Sequence, residues 1–150
     1  MARGDLLTFE EARKTILTGG WEPADEIWVG LVTNAAVPAA DDPVPAYAAG
    51  GTTNYTAIAT AGNYAAGGLL LDTYDNIVTE VGGLVKFTDT GASVTWAVNG
   101  SNPQDAYYAI IYHKTTGLGI CFVDLAGAID MQAGDLTITW NASGMFTINN

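Results

Sequence analysis

Basic residues are scarce in this chain: five Lys and Arg stand against sixteen Asp and Glu, a formal net charge of −11 over 150 residues. A surface so acidic repels phosphates, so nucleic acid is not expected as a direct partner, and an anionic lipid surface is disfavoured for the same reason. Cysteine is limited to Cys121. No intrachain disulfide is therefore possible, and the fold cannot depend on an oxidising compartment. A reactive thiol wants a histidine and an electropositive setting, which Cys121 lacks, so a buried apolar role on a strand is expected. Histidine is limited to His113, between Tyr112 and Lys114 at a strand end. That position reads as a surface histidine at a turn. The N-terminus has no apolar run of signal-peptide length and no stretch approaches membrane-spanning length, so a soluble protein made in the cytoplasm and no membrane partner are expected. Three Asn-x-Ser/Thr sites, at Asn54, Asn99 and Asn141, are discounted because they lack a secretory route.

What the chain has in quantity is strand-forming sequence. At 49% apolar residues it can fill a core without metal or disulfide staples, and its length suits a single domain. From Ser93 to Asn150 five segments rich in Val, Ile, Thr, Tyr, Phe and Trp are separated by Gly, Asn, Pro, Asp and Ser. Such alternation marks consecutive antiparallel strands. Ala106–Tyr112 has no polar face and is expected to be the most deeply covered strand. Leu136, Ile138 and Trp140 share one face, and Trp96 and Trp140 are expected in the core.

Earlier in the chain, Glu26–Thr33 places Ile27, Val29 and Leu31 on one face and Trp28, Gly30 and Val32 on the other, both apolar. Further strands are expected at Tyr55–Thr60, Gly67–Tyr74, Ile77–Glu80 and Leu84–Thr88. Thr8-Phe9-Glu10-Glu11 has the form of a capping box opening a helix that runs to about Leu17 and closes at Gly19-Gly20. Phe9, Ala12 and Ile16 fall on its apolar face, and so short a helix must dock on something. Residues 34–53 form a Pro- and Ala-rich stretch without periodicity, long for a compact domain, and such loops are usually functional or disordered. Its Asp41-Asp42 pair reads as a solvated turn. The fold class expected is all-β: an antiparallel β-sandwich of jelly-roll or Greek-key kind, with eight to nine strands and one short N-terminal helix. Residues 1–20 form an arm and 21–150 a single sandwich domain.

No catalytic set assembles from the sequence. One histidine cannot be spared for a nucleophile triad, no Cys/His cluster has metal-ligand spacing, and the carboxylates are scattered along loops. The glycines lack the strand–loop–helix setting of a phosphate cradle. The expectation is no enzyme, no cofactor and no metal. Arg3-Gly4-Asp5 is too short a match to carry weight. Trp28, Trp96, Trp140, Tyr107, Tyr108 and Tyr112 leave open a sugar-stacking face, although aromatics at alternating positions more often fill cores.

Asn54–Leu71 (NYTAIATAGNYAAGGLLL), the Val94–Trp96 strand, the apolar run Ala106–Gly117 (AYYAIIYHKTTG) and the closing Ala133–Ile148 hairpin (AGDLTITWNASGMFTI) occur in an order that resembles small structural proteins of tailed bacteriophages. The likeness covers roughly the last two-thirds of the chain. It implies a virion component, foremost a capsid decoration (cement) protein outside the head, binding the major capsid protein and often trimeric. Alternatives are a tail or head–tail accessory protein, or a carbohydrate-binding β-sandwich module. Seam contacts in the cement reading would come from Leu6, Leu7, Phe9 and Ile16 in the arm and from Val37, Pro43, Val44, Pro45 and Tyr47 in the loop.

Overall fold

Twelve short strands account for most of the regular structure among the described residues, and the fold is all-β. The structure, a computed structural model, describes residues 6–18, 20–43, 45–47, 54–81, 84–87, 93–140 and 146–148. In chain order the elements are β1 (Leu6–Thr8), α1 (Glu10–Leu17), β2 (Glu26–Val32), β3 (Ala46–Tyr47), β4 (Asn54–Tyr55) and β5 (Leu69–Thr73). A single helical turn, α2 (Tyr74–Ile77), follows. Then come β6 (Val78–Val81), β7 (Leu84–Phe87), β8 (Val94–Trp96), β9 (Ala106–His113), β10 (Gly119–Ile129), β11 (Leu136–Ile138) and β12 (Phe146–Ile148). Beyond the strands expected, the structure adds β1 and β3, which are two or three residues long and too short for alternation to register, and it reduces the strand expected at Tyr55–Thr60 to β4 and an isolated bridge at Ala57.

The main sheet has five strands in the order β1-β10-β9-β2-β5, every neighbour antiparallel. β9 lies at its centre. Ala109, Ile110 and Ile111 have no exposed surface, as the absence of a polar face predicts. β2 is likewise covered on both faces. Ile27, Val29 and Leu31 are buried on one side, and on the other Gly30 admits the Tyr47 ring so closely that a Cβ there would lie 2.3 Å from Tyr47 Cζ. Past the end of β5 the same edge of β2 continues its ladder with residues 56–58, through Thr33 N–H to the Thr56 carbonyl (2.9 Å) and Ile58 N–H to the Leu31 carbonyl (3.1 Å). Gly68, at φ +85°, makes the turn that swings the chain back to β5. A Cβ there would sit 1.9 Å from the Val29 carbonyl oxygen, so only glycine fits.

Smaller sheets follow among the described residues: β11-β8, β12-β7-β6, and the parallel pair β3-β4. Trp96, on β8, is buried beside Tyr64 with ring centroids 6.1 Å apart. Trp140 is half-buried against the core. Cys121 is fully buried, and burial pushes its thiol pKa well up, in keeping with a packing role.

The N-terminal segment departs from expectation. Thr8 is not a helix cap; it belongs to β1, opposite Cys121. Phe9 stands at the N-cap with extended backbone and without a side-chain bond. Its N–H continues the ladder to the Ile120 carbonyl (3.0 Å), and the Glu10 N–H is satisfied by the Ala40 carbonyl (2.9 Å). A loop carbonyl thus satisfies a first-turn donor in place of a side-chain cap, though the Glu10 N–H and not the Glu11 N–H that the Thr8 hydroxyl was expected to meet, and the Glu11 side chain turns to Lys14 Nζ (3.1 Å). The apolar face is as patterned, with Phe9 and Ala12 buried, Ile16 half-buried and Leu17 outside. Gly19, half of the expected stop, lies outside the described residues, and so does Arg3-Gly4-Asp5.

Candidate functional site

The 34–47 stretch is stitched at several points to what surrounds it. Asp42 Oδ2 accepts the Ala39 N–H (3.0 Å), closing a local turn, and also the Tyr55 hydroxyl. Asp42 is therefore an anchor and not a purely solvated residue, since the Tyr55 phenol it holds is buried. Further on, Tyr47 N–H donates to the Gly117 carbonyl (2.8 Å) and Gly119 N–H to the Pro45 carbonyl (2.7 Å), tying the stretch to the β9–β10 turn. The Tyr47 ring stacks on Tyr112 at 4.4 Å, and its hydroxyl lies 3.1 Å from that of Tyr64, which accepts the Leu31 N–H (3.1 Å). Burial pushes the phenol pKa values of Tyr47 and Tyr55 well above the ordinary tyrosine value, raises that of Tyr64, and takes that of Tyr112 up to about 12. These hydroxyls stay protonated across the physiological range and act as hydrogen-bonding pins.

This geometry divides the nine proposed seam residues. Phe9, Pro45 and Tyr47 are buried within the chain, and their placement at a partner surface is corrected: the rings of Phe9 and Tyr47 are spent on Phe122, Tyr55, Gly30 and Tyr112. Leu6 and Ile16 are half-buried. Leu7 (38% exposed), Val37 (61%) and Pro43 face solvent. Val44 lies outside the described residues. Leu17 (72%), Leu70 and Val98 are exposed apolar residues that the sequence reading did not single out. Leu17 could have been found from its place bordering the apolar face of α1. The Glu10–Ala40 backbone bond joins the N-terminus of α1 to the loop carrying Val37 and Pro43, so helix and loop form one edge of the molecule.

Among the described residues one compact cluster of titratable groups stands out, and the sequence reading misplaced it. His113 is 2% exposed, not at the surface, because β9 runs one residue further than expected and the β9–β10 turn closes behind it. Its ring stacks on Trp21 at 5.3 Å and 8°. Nε2 lies 2.9 Å from Asp25 Oδ2, while Nδ1 is 2.9 Å from Thr116 Oγ1 and accepts the Thr116 N–H (3.2 Å). Both ring nitrogens thus face polar partners that tie the 21–25 segment to the 113–117 turn. This arrangement fits a structural clamp.

Asp25 supplies a pH test of that clamp. The Glu22 N–H (2.7 Å), and then the His113 ring, hold its carboxyl below the ordinary value of 3.8. A depressed folded-state pKa stabilises the fold in full above the unfolded value and loses that contribution as pH falls through the folded one. Wild type should therefore melt above Asp25→Asn at neutral pH, with the gap closing only below 3.8. Thermal unfolding against pH measures it; melting curves that stay parallel down to strong acid would remove the charge from the account.

Among the described residues no group of three or more His, Cys, Asp or Glu is placed to hold a metal ion. Of the aromatics considered for a sugar platform, Trp96 and Tyr112 are buried, leaving Trp28, Tyr107, Tyr108 and Trp140 half-buried. One face of Trp28 is capped by Lys114 Nζ at 3.8 Å from the ring centroid. No helix among the described residues is long and apolar enough to cross a membrane. Family models, curated proteins and solved structures yield no match to the chain.

Proposed function

We propose that this chain is a virion structural protein of a tailed bacteriophage, a capsid decoration protein that binds the outside of the head as a homo-oligomer, trimeric in the simplest case. In that role it stabilises joints between major capsid subunits and needs no catalytic site or cofactor. The observation that carries the reading is the edge made by β1, α1 and the 33–43 loop. It presents Leu7, Val37 and Pro43 outward from a backing fixed by the Glu10–Ala40 bond and by the β1–β10 ladder. Side chains displayed on a fixed backbone lose little further freedom when a partner covers them. Repetition around a symmetric shell then multiplies a modest contact. The acidic surface suits a position outside the container of the nucleic acid.

Leu7→Asp and Val37→Asp test the edge, because both positions are exposed and neither change opens the core. Attachment to heads stripped of the chain should weaken by roughly tenfold per substitution, about 1.4 kcal/mol, with unfolding midpoints unchanged. Undiminished attachment of both variants would sink the edge. Absence of the chain from purified particles would sink the virion role itself.

A further inference from the structure

Asn99-Gly100 is the one Asn-Gly pair in the chain and sits at the tip of the turn that follows β8. Its surroundings fix the asparagine at several points. The Asn99 N–H donates to the Met131 carbonyl (3.4 Å), and its carbonyl accepts the Asn102 N–H (2.9 Å). Side-chain Nδ2 reaches Asn63 Oδ1 at 3.4 Å, and Oδ1 accepts the Ser101 N–H at 2.9 Å. That last bond does two things. It closes the side chain into a turn that spans Gly100. It also places a backbone donor on the oxygen that gains negative charge if Cγ is attacked. Gly100 adds no crowding: an ideal Cβ there would meet nothing within 4 Å.

We infer that Asn99 is a self-modification site, built by its own turn for conversion to aspartate and isoaspartate. The Gly100 nitrogen attacks Asn99 Cγ and loses its proton to solvent base. The Cγ–Nδ2 bond breaks and nitrogen leaves as ammonia after taking a proton from water, giving a five-membered succinimide. Water then opens the ring. Cleavage of the Cγ–N bond leaves an ordinary aspartate with the normal backbone, while cleavage at the former Asn99 main-chain carbonyl gives isoaspartate, whose backbone runs through Cβ and Cγ. Neither route needs an oxidant, a cofactor or an enzyme. Holding nucleophile and carbon in one short turn supplies the proximity that makes such a step productive.

The site matters to the fold because of what lies next to it. Asn102 is buried and joins three segments: Oδ1 accepts the Asn63 N–H (2.6 Å), and Nδ2 donates to the Ala97 (2.8 Å) and Met131 (3.1 Å) carbonyls. Gln132 Nε2 donates to its carbonyl (2.7 Å). Isoaspartate inserts one methylene into the main chain just before this anchor, shifting the Asn102 N–H away from the carbonyl it now meets. Both products lose the amide donor that reaches Asn63 Oδ1; aspartate puts a carboxylate in its place, isoaspartate carries its carboxylate at the former main-chain carbonyl, and either adds a negative charge to a chain already at −11.

The experiment holds the folded full-length chain, and a urea-unfolded sample, in mildly alkaline buffer at physiological temperature. Peptide mapping by mass spectrometry then follows every asparagine, with fragmentation that separates aspartate from isoaspartate. Asn99 should convert first, and in the folded chain at least as fast as in the unfolded one. Gly100→Ala, for which the turn has room, should slow it by about tenfold or more, because the methyl group beside the attacking nitrogen hinders its approach to Asn99 Cγ. Slower conversion in the folded chain than in urea, another asparagine converting first, or an unaffected Gly100→Ala variant would each overturn the proposal.

Discussion

Phe9→Ala should destabilise the folded chain by about 3–5 kcal/mol, the usual cost of removing a buried phenylalanine ring. Phe9 has no exposed surface. Its ring stands 5.0 Å from Phe122 and 6.0 Å from Tyr55, and Gly119 leaves the space it fills, since a Cβ at 119 would come within 2.8 Å of Phe9 Cε2. Cavity formation therefore adds to the lost transfer energy, because none of these neighbours can collapse without dragging a strand or the 54–58 segment. Residues 1–20 read from sequence as an arm on a self-sufficient body. An arm side chain would cost almost nothing, so urea unfolding of this one variant separates the two pictures. A loss below roughly 1 kcal/mol, within the range of surface substitutions, would restore the separable arm. A loss near the upper figure means that truncation damages the sheet, and that attachment is properly probed by exposed positions such as Leu7 and Val37.

The parts of this fold that were legible from sequence are those where a single strand reports its own surroundings. β2 is apolar at successive positions and β9 has no polar face; strands with those patterns must be covered on both sides, and they are. The helix was legible as far as its apolar face. Its start was not, because the donor–acceptor choice there is decided by distant chain: the Ala40 carbonyl meets the Glu10 N–H, and the Ile120 carbonyl holds Phe9 in the ladder. His113 failed for the same kind of reason. Flanked by Tyr112 and Lys114 it resembles a strand end, and nothing local announces that Trp21 stacks on it or that Asp25 reaches Nε2. Tyr47 was read as a loop residue available to a partner, while its actual partner is a glycine in β2. In each case a polar or aromatic side chain took its role from a contact distant in sequence, and hydrophobic periodicity carries no record of such pairings. The candidate edge was legible only in part, since exposure separates Val37 and Leu7 from Phe9 and Pro45, and composition treats all four alike.

The second large effect belongs to Trp96, where the size of the loss should depend on what replaces it. Trp96→Ala is expected to cost about 3–5 kcal/mol, a large share of the roughly 5–15 kcal/mol typical of a whole domain. The side chain is 1% exposed, and its strand has one sheet partner among the described residues, Leu136 facing Trp96 across the β8–β11 pair. Two strands of three residues each do not hold together on their own in water. Burial of Trp96 beside Tyr64 is therefore a principal means by which this pair is held to the body, together with the Asn102 bonds just beyond it. Trp96→Phe should behave differently. The indole N–H is buried without an acceptor among the described residues, so phenylalanine removes an unpaired donor along with part of the ring. The relief of that donor, about 1–3 kcal/mol, offsets much of the lost packing, and the net cost should fall to roughly 1–2 kcal/mol. Urea unfolding of the two variants side by side gives the comparison. Equal losses would mean that the indole nitrogen is satisfied and that the ring is held by its polar edge as well as its area; a negligible loss for alanine would mean that the β8–β11 pair is docked by other contacts.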